Sequence, residues 1–367
     1  MEETALKWIV FILAFSGMVI IHEIGHFIAA LLMKMEVEEF GIGFPTPGAI
    51  TMFTWRGTRF TFNWLPIGGF VRPKGENDPS IEGGMAAAPP WRRFVVLVAG
   101  PLMNLVAAIL IYAIVFNRSG VPDINRVLVA EVFTNTPAQQ AGFQENDIFI
   151  SGNGEAIDSF DKLGSIVDAN DNQPILFLVE RDGQQVELTA VPKLNEAGDD
   201  VVIGVGLNNP LVPADSFLQP LEYGFKYTYY NIKMLLSLPA QMIRGSLPAE
   251  QMRFVGLKGI FDIMSQTVES DVKASQSATP TSNPFEQMRT LLIIASLSIS
   301  LGVFNLFPFP ALDGGRIIFL LPELIFRRRV APETENLIHG LGMAVLLLFM
   351  LYVNVMDFVD PASFTLP

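Results

Sequence analysis

Four apolar runs constrain this chain more than any other feature. They cover residues 6–33, 94–116, 291–311 and 337–356, each near the roughly 20 residues a helix needs to cross the hydrocarbon core of a bilayer. In lipid a backbone must satisfy its own hydrogen bonds, so such runs fold as helices. Composition agrees, with half of the residues hydrophobic and only 17% charged. The first run is read as a membrane helix rather than a cleaved signal peptide. It is too long, it ends in no small-residue cleavage site, and it carries His22, Glu23 and His26.

Loop charge predicts which way these helices run. The stretch between the first two runs contains Lys34, Arg56, Arg59, Arg72, Lys74, Arg92 and Arg93. The loop between the last two contains Arg316, Arg327, Arg328 and Arg329. Positive loops stay in the cytoplasm, so four crossings would put both termini and residues 118–288 outside. The net charge of −13 argues against nucleic acid as a partner. With no cysteine in the chain, there is neither a disulfide framework nor a thiolate ligand. Any metal must be held by His, Asp or Glu.

Between the membrane runs, residues 50–55 and 59–65 are β-prone and flank Arg56-Gly57-Thr58, a hairpin signal. The hairpin is rich in Phe and Trp, which suits a membrane interface. Residues 125–193 alternate strand, helix and turn signals and are expected to form a separate α+β module. Residues 215–245 carry Phe217, Leu221, Phe225, Ile232 and Leu236 near helical spacing, as an amphipathic helix does. Residues 265–284, rich in Ser, Thr, Asn, Gln and Pro, are expected to be a flexible linker.

The chemistry is concentrated in His22-Glu23-Ile24-Gly25-His26. Four residues advance a helix by about 400° and roughly 6 Å, so the two imidazoles share a face and can grip one ion. Zinc takes imidazole nitrogen as a ligand. Glu23, beside the pair, is placed to act as general base toward metal-bound water. Three ionisable groups within an apolar run need a compensating partner, and a metal supplies one. An ion or proton relay in a transporter is the rival reading, and a metal-free scaffold is another.

A catalytic zinc site keeps three protein ligands and one open position. The remaining histidine is His339, in the fourth run, and the better third ligand is Asp313 in Asn305-Leu306-Phe307-Pro308-Phe309-Pro310-Ala311-Leu312-Asp313-Gly314-Gly315-Arg316. Pro308 and Pro310 should break the third helix just before it. Gly314 and Gly315 should let the backbone turn sharply there. Asn104 and Asn305 are amides in apolar helices. Each can bond a neighbouring helix or face a substrate. His339 is read either as a group supporting the metal ligands or as an interfacial residue.

These two motifs, far apart in sequence and each on a membrane run, resemble those of the site-2 protease family, in particular its bacterial members with a PDZ domain that act in regulated intramembrane proteolysis. Phe40–Phe44, Gly68–Arg72 and Gly100-Pro101-Leu102-Met103-Asn104 are similar to further family signatures. The resemblance implies a multi-pass α-helical membrane protein with four transmembrane helices, a membrane-associated β-hairpin and an inserted extracytoplasmic α+β PDZ-like domain. It divides the chain into a membrane core at 1–117, the PDZ-like domain at 118–208, the amphipathic helix and linker at 209–288, and the rest of the membrane core at 289–367. It implies a zinc metalloendopeptidase of the bacterial inner membrane with one catalytic Zn2+, His22, His26 and Asp313 as ligands, Glu23 as the catalytic residue and Asn305 holding the substrate. Its partners would be the lipid bilayer and single-span membrane proteins, such as anti-sigma-factor-like proteins or remnant signal peptides, with substrate C-termini at the PDZ-like domain. Two departures stand out. Gly256-Leu257-Lys258-Gly259-Ile260 lacks a proline common in the family, and Glu145-Asn146 replaces a Pro-Gly-like turn.

Overall fold

The first apolar run has no proline and folds as one helix, α1 (Glu2–Leu32), about 46 Å long at 1.5 Å per residue. The computed structural model describes residues 2–76, 78–195, 200–245, 254–276 and 284–360. After α1 come β1 (Val37–Phe44), β2 (Ile50–Trp55), β3 (Thr58–Phe62), β4 (Leu65–Pro73) and α2 (Pro90–Ser119). The chain separates into two compact units, residues 116–220 and the remainder.

In the larger unit, β2 and β3 form the expected hairpin. Arg56 and Gly57 at its tip both have positive φ, 49° and 86°, the signature of a two-residue type I′ turn. The hairpin is only half of the sheet, however. The strand order is β2-β3-β1-β4, with β1 parallel to β3 and antiparallel to β4. The Phe40–Phe44 and Gly68–Arg72 patches lie in β1 and β4 of the same sheet. Glu39 of β1 is the buried tie. It accepts from Thr61 Oγ1 at 2.9 Å and pairs with Arg72 at 3.0 Å and Arg59 at 3.4 Å, so its charge is neutralised from both neighbouring strands. Strand β2 is exposed along its whole length, and its Ile50, Phe53 and Trp55 suit lipid contact.

The smaller unit contains β5 (Val121–Pro122), β6 (Val127–Val132), α3 (Pro137–Ala141), β7 (Ile148–Gly152), β8 (Glu155–Ala156), α4 (Phe160–Asp168), β9 (Ile175–Arg181), β10 (Gln184–Ala190), β11 (Lys193–Leu194), β12 (Val201–Val202), β13 (Val205–Asn208) and β14 (Leu211–Val212). Its main sheet runs β10-β9-β7-β6-β13, with β8 on β7. Val127, Val129, Phe149, Ile175, Phe177 and Val179 fill the core against Leu163 and Ile166 of α4. Fully burying such side chains stabilises by roughly 1.5–3 kcal/mol apiece. The departure at Glu145-Asn146 has a local explanation. Asn146 takes φ +71°, a left-handed conformation that asparagine tolerates nearly as glycine does. The adjoining Asp147 is fully buried and grips Arg181 in a bidentate pair at 2.6 and 2.7 Å.

The larger unit resumes with α5 (Gln219–Arg244), α6 (Leu257–Gln276), α7 (Arg289–Asn305), α8 (Asp313–Phe326) and α9 (Pro332–Val359). The segment expected as a linker from 265 is helical as far as Gln276, and residues 277–283 lie outside the described ones. Two causes explain the helix. Thr267 and Ser275 hydroxyls bond back to their own helix at Met264 O and Val272 O, while Met264 and Val268 are buried. Its start is capped from α9. Asp357 accepts from Gly256 N and Gly259 N, both at 2.9 Å, and Asn354 accepts from Leu257 N at 3.0 Å. A Cβ on Gly256 would lie 2.8 Å from Asp357 Oδ2, so the glycines of this run let the two helices meet. Hydrogen bonds to a charged group contribute about 1.5–3 kcal/mol each.

Three described helices are long and apolar enough to cross a membrane: Thr4–Leu32, Pro90–Ser119 and Pro332–Val359. The third expected run, residues 291–311, behaves differently. Helix α7 stops at Asn305 after 17 residues, about 26 Å, rather than running to residue 311. Pro308 and Pro310 cannot donate to a continuing helix, so residues 306–312 form a tight turn in which Ala311 has φ +85°.

Candidate metal centre

On α1, His22 and His26 stack one turn apart with their rings 4.7 Å apart at an interplanar angle of 82°. His26 Nδ1–H donates to Val96 O of α2 at 2.8 Å. That bond leaves the lone pair on Nε2, which stands 3.0 Å from His22 Nε2. The turn after α7 delivers Asp313 as the first residue of α8. Its Oδ2 stands 3.2 Å from His22 Nε2 and 3.4 Å from His26 Nε2.

Three donor atoms from α1 and α8 therefore make a nearly equilateral triangle. Ligands held at about 2.0–2.1 Å in a tetrahedral array stand roughly 3.3 Å from each other, which is the spacing of this triangle. Two neutral imidazole nitrogens and one carboxylate oxygen also suit zinc chemically. Among the described residues, His22, His26 and Asp313 are the group able to hold a metal ion. Sequence spacing alone indicates the His pair. The structure adds the convergence of a carboxylate from a segment far along the chain.

Close backbone approach makes this possible. A Cβ on Gly100 of α2 would sit 2.3 Å from His26 Nε2, and one on Gly25 would sit 2.4 Å from Ala99 O. Gly314 and Gly315 do not make the sharp turn expected of them. They lie in the first turn of α8, where a Cβ would come within 2.2 Å of Phe307 O and 2.3 Å of Phe309 O, respectively. They let the α8 N-terminus nest against the preceding turn, and Ala311 carries the strained dihedral instead.

Glu23 lies beside the triangle, against the backbone of Val71 on β4. A cavity of about 260 Å³ is lined by His22, Glu23, His26, Asp313 and Asn305. Arg316 and Glu76 also line it and pair with each other. Asn305 Nδ2 donates to Leu301 O of its own helix at 3.0 Å, so the amide caps a turn of α7 while facing the cavity. His339 is outside the triangle. Its Nδ1 accepts from Ala311 N at 3.0 Å, which braces the turn before Asp313. One contributor was hidden from sequence reasoning: Val96 O acts through a backbone position that no side-chain pattern reports.

The chain is similar to known proteins along most of its length. A profile described as "Peptidase family M50" matches residues 10–349. The metalloprotease MmpA of Caulobacter vibrioides is 30% identical over 371 residues, covering 92% of this chain and 91% of that protein. The zinc metalloprotease RasP of Oceanobacillus iheyensis is 30% identical over 434 residues, covering 94% and 97%. The PDZ domain of an SdrC-like protein from Listeria monocytogenes matches 23% of this chain and 87% of its own at 15% identity and a TM-score of 0.21. With the family matched across nearly the whole chain, this protein belongs to peptidase family M50, the site-2 proteases, and is a membrane zinc metalloprotease.

Proposed function

We propose that this protein hydrolyses peptide bonds within or near the transmembrane segments of single-span membrane proteins, with His22, His26 and Asp313 holding the zinc and Glu23 as general base. The observation that carries the reading is the triangle of Nε2, Nε2 and Oδ2 atoms with 3.0–3.4 Å edges, built on a helix apolar enough to cross a membrane. When bound, zinc supplies acidification of water and polarisation of the scissile carbonyl. Glu23 takes a proton from the attacking water onto its carboxylate. It then returns that proton to the amine nitrogen as the C–N bond breaks. Gly69 and Val71 of β4 flank the carboxylate through both transfers. Asn305, at the cavity wall, is proposed to hold the substrate backbone.

A transmembrane helix hides its carbonyls, so the substrate must unwind before attack. The hairpin edge at 50–65 is one place for the unwound strand. The outer edge of β4 is the better one. It ends the sheet, and Gly69 and Val71 of β4 lie against Glu23, so an added strand would run past the general base. The topology proposed is four crossings, α7 included, with Arg-rich loops inside, both termini outside, and residues 118–208 as an extracytoplasmic PDZ-like domain that takes substrate C-termini. The location proposed is the bacterial inner membrane, and the substrates are anti-sigma-factor-like proteins or remnant signal peptides.

The test is cleavage of a single-span reporter protein by the purified full-length chain in liposomes. Cutting inside or beside the span, abolished by a zinc chelator and restored by added zinc, is the expected result. A zinc-loaded chain that leaves every such reporter intact would contradict the reading.

A further inference from the structure

His22 differs from His26 in what fixes its ring. His26 donates from Nδ1 to a backbone carbonyl, and its Nε2 is thereby an acceptor. The Nδ1 of His22 instead stands 3.3 Å from the side-chain amide of Asn104 on α2. Asn104 is fully buried, and its backbone is pinned by Ser298 Oγ–H of α7, which donates to Asn104 O at 2.9 Å. The amide nitrogen faces the ring, while Oδ1 is buried without a donor.

The two ways of turning this amide have different consequences. If Nδ2 faces His22, the ring accepts at Nδ1 and carries its proton on Nε2, inside the triangle, where that proton excludes a cation. A half-turn about the terminal torsion exchanges nitrogen and oxygen with almost no change of shape. Oδ1 then accepts from His22 Nδ1–H, and Nε2 offers its lone pair to a metal. Both histidines then present the same face, one set by a backbone carbonyl and the other by a side-chain carbonyl. Metal-binding histidines use their second nitrogen in this way.

We propose that Asn104 is a positioning residue for the zinc site: its Oδ1 accepts the Nδ1 proton of His22 and selects the tautomer that ligates through Nε2. This rests on the reading of His22, His26 and Asp313 as the ligands. Asn104 bridges α1 and α2 through the ligand itself, so it is neither a substrate contact nor a generic packing amide.

The test measures zinc affinity of the full-length chain in detergent by competition with a chelating dye, for wild type, N104L and N104D. The Co2+ absorption spectrum of each reports the ligand field. N104L, similar in volume and without an acceptor, should weaken zinc by about 10–100-fold. N104D accepts but cannot donate, so it should bind within a few-fold of wild type and keep the Co2+ bands. Equal affinity in N104L and wild type would overturn the proposal, as would loss of zinc in N104D. Should N104L fail to fold, N104D decides alone, since a role resting on the Nδ2 donor predicts that aspartate fails. A wild-type chain that takes up no zinc would instead remove the ligand reading on which this one stands.

Discussion

Replacing Glu23 by glutamine is expected to lower turnover by about 10²–10⁴-fold while leaving the zinc content unchanged. Glutamine keeps the shape of the side chain, so it should sit against Gly69 and Val71 of β4 as Glu23 does. What it loses is the ability to take a proton and give it back. The zinc should remain because Glu23 is not among the three converging donors. Substrate binding should change little, so the loss should fall on kcat rather than KM. Turnover close to wild type in E23Q would remove Glu23 as general base. Loss of the metal in E23Q would make Glu23 part of the metal site rather than its proton carrier. A metal transporter built on the same ligands predicts ion flux and no cleavage.

Gly100→Ala is expected to abolish activity and weaken zinc by at least about tenfold, a change usually associated with loss of a group that supports a ligand. The added methyl would lie 2.3 Å from His26 Nε2 and 2.6 Å from His26 Cε1. The imidazole cannot step aside, because its Nδ1 is bonded to Val96 O only four residues earlier on the same helix. Separating α1 from α2 is resisted by the second close approach, Gly25 against Ala99. Gly340→Ala in α9 is the matched control. A Cβ there meets nothing within 4 Å, so zinc and activity should both be kept. Chelator-competition affinity and reporter cleavage on the two variants check the pair. Equal behaviour of G100A and wild type would mean that α2 does not hold the His26 ring in place.

The parts of this site legible in the sequence are those that depend on helical period and on the scarcity of alternatives. His22 and His26 share a face because they are four residues apart on a helix without proline. Asp313 stands out because the chain has no cysteine, only one other histidine, and a proline pair just before that carboxylate. Less was legible where backbone does the work. Strand β1 pairs in parallel with β3, and no local turn signal announces a partner so distant in register. The Ser- and Thr-rich start of the expected linker is helical because Asp357 and Asn354 of α9 cap α6 from across the chain. Asn104 gave no sign of its partner, since an amide in an apolar helix has many possible neighbours and only the packing of α2 on α1 selects His22.

The most direct test of the account is the zinc content per chain of detergent-purified protein, wild type against D313A, after identical reconstitution. The account predicts about one zinc per wild-type chain and a sharp loss in D313A, because one corner of a triangle built from both ends of the chain is then missing. Folded wild-type protein that takes up no zinc, or D313A that holds it as tightly as wild type, would contradict the claim that α1 and α8 share one metal.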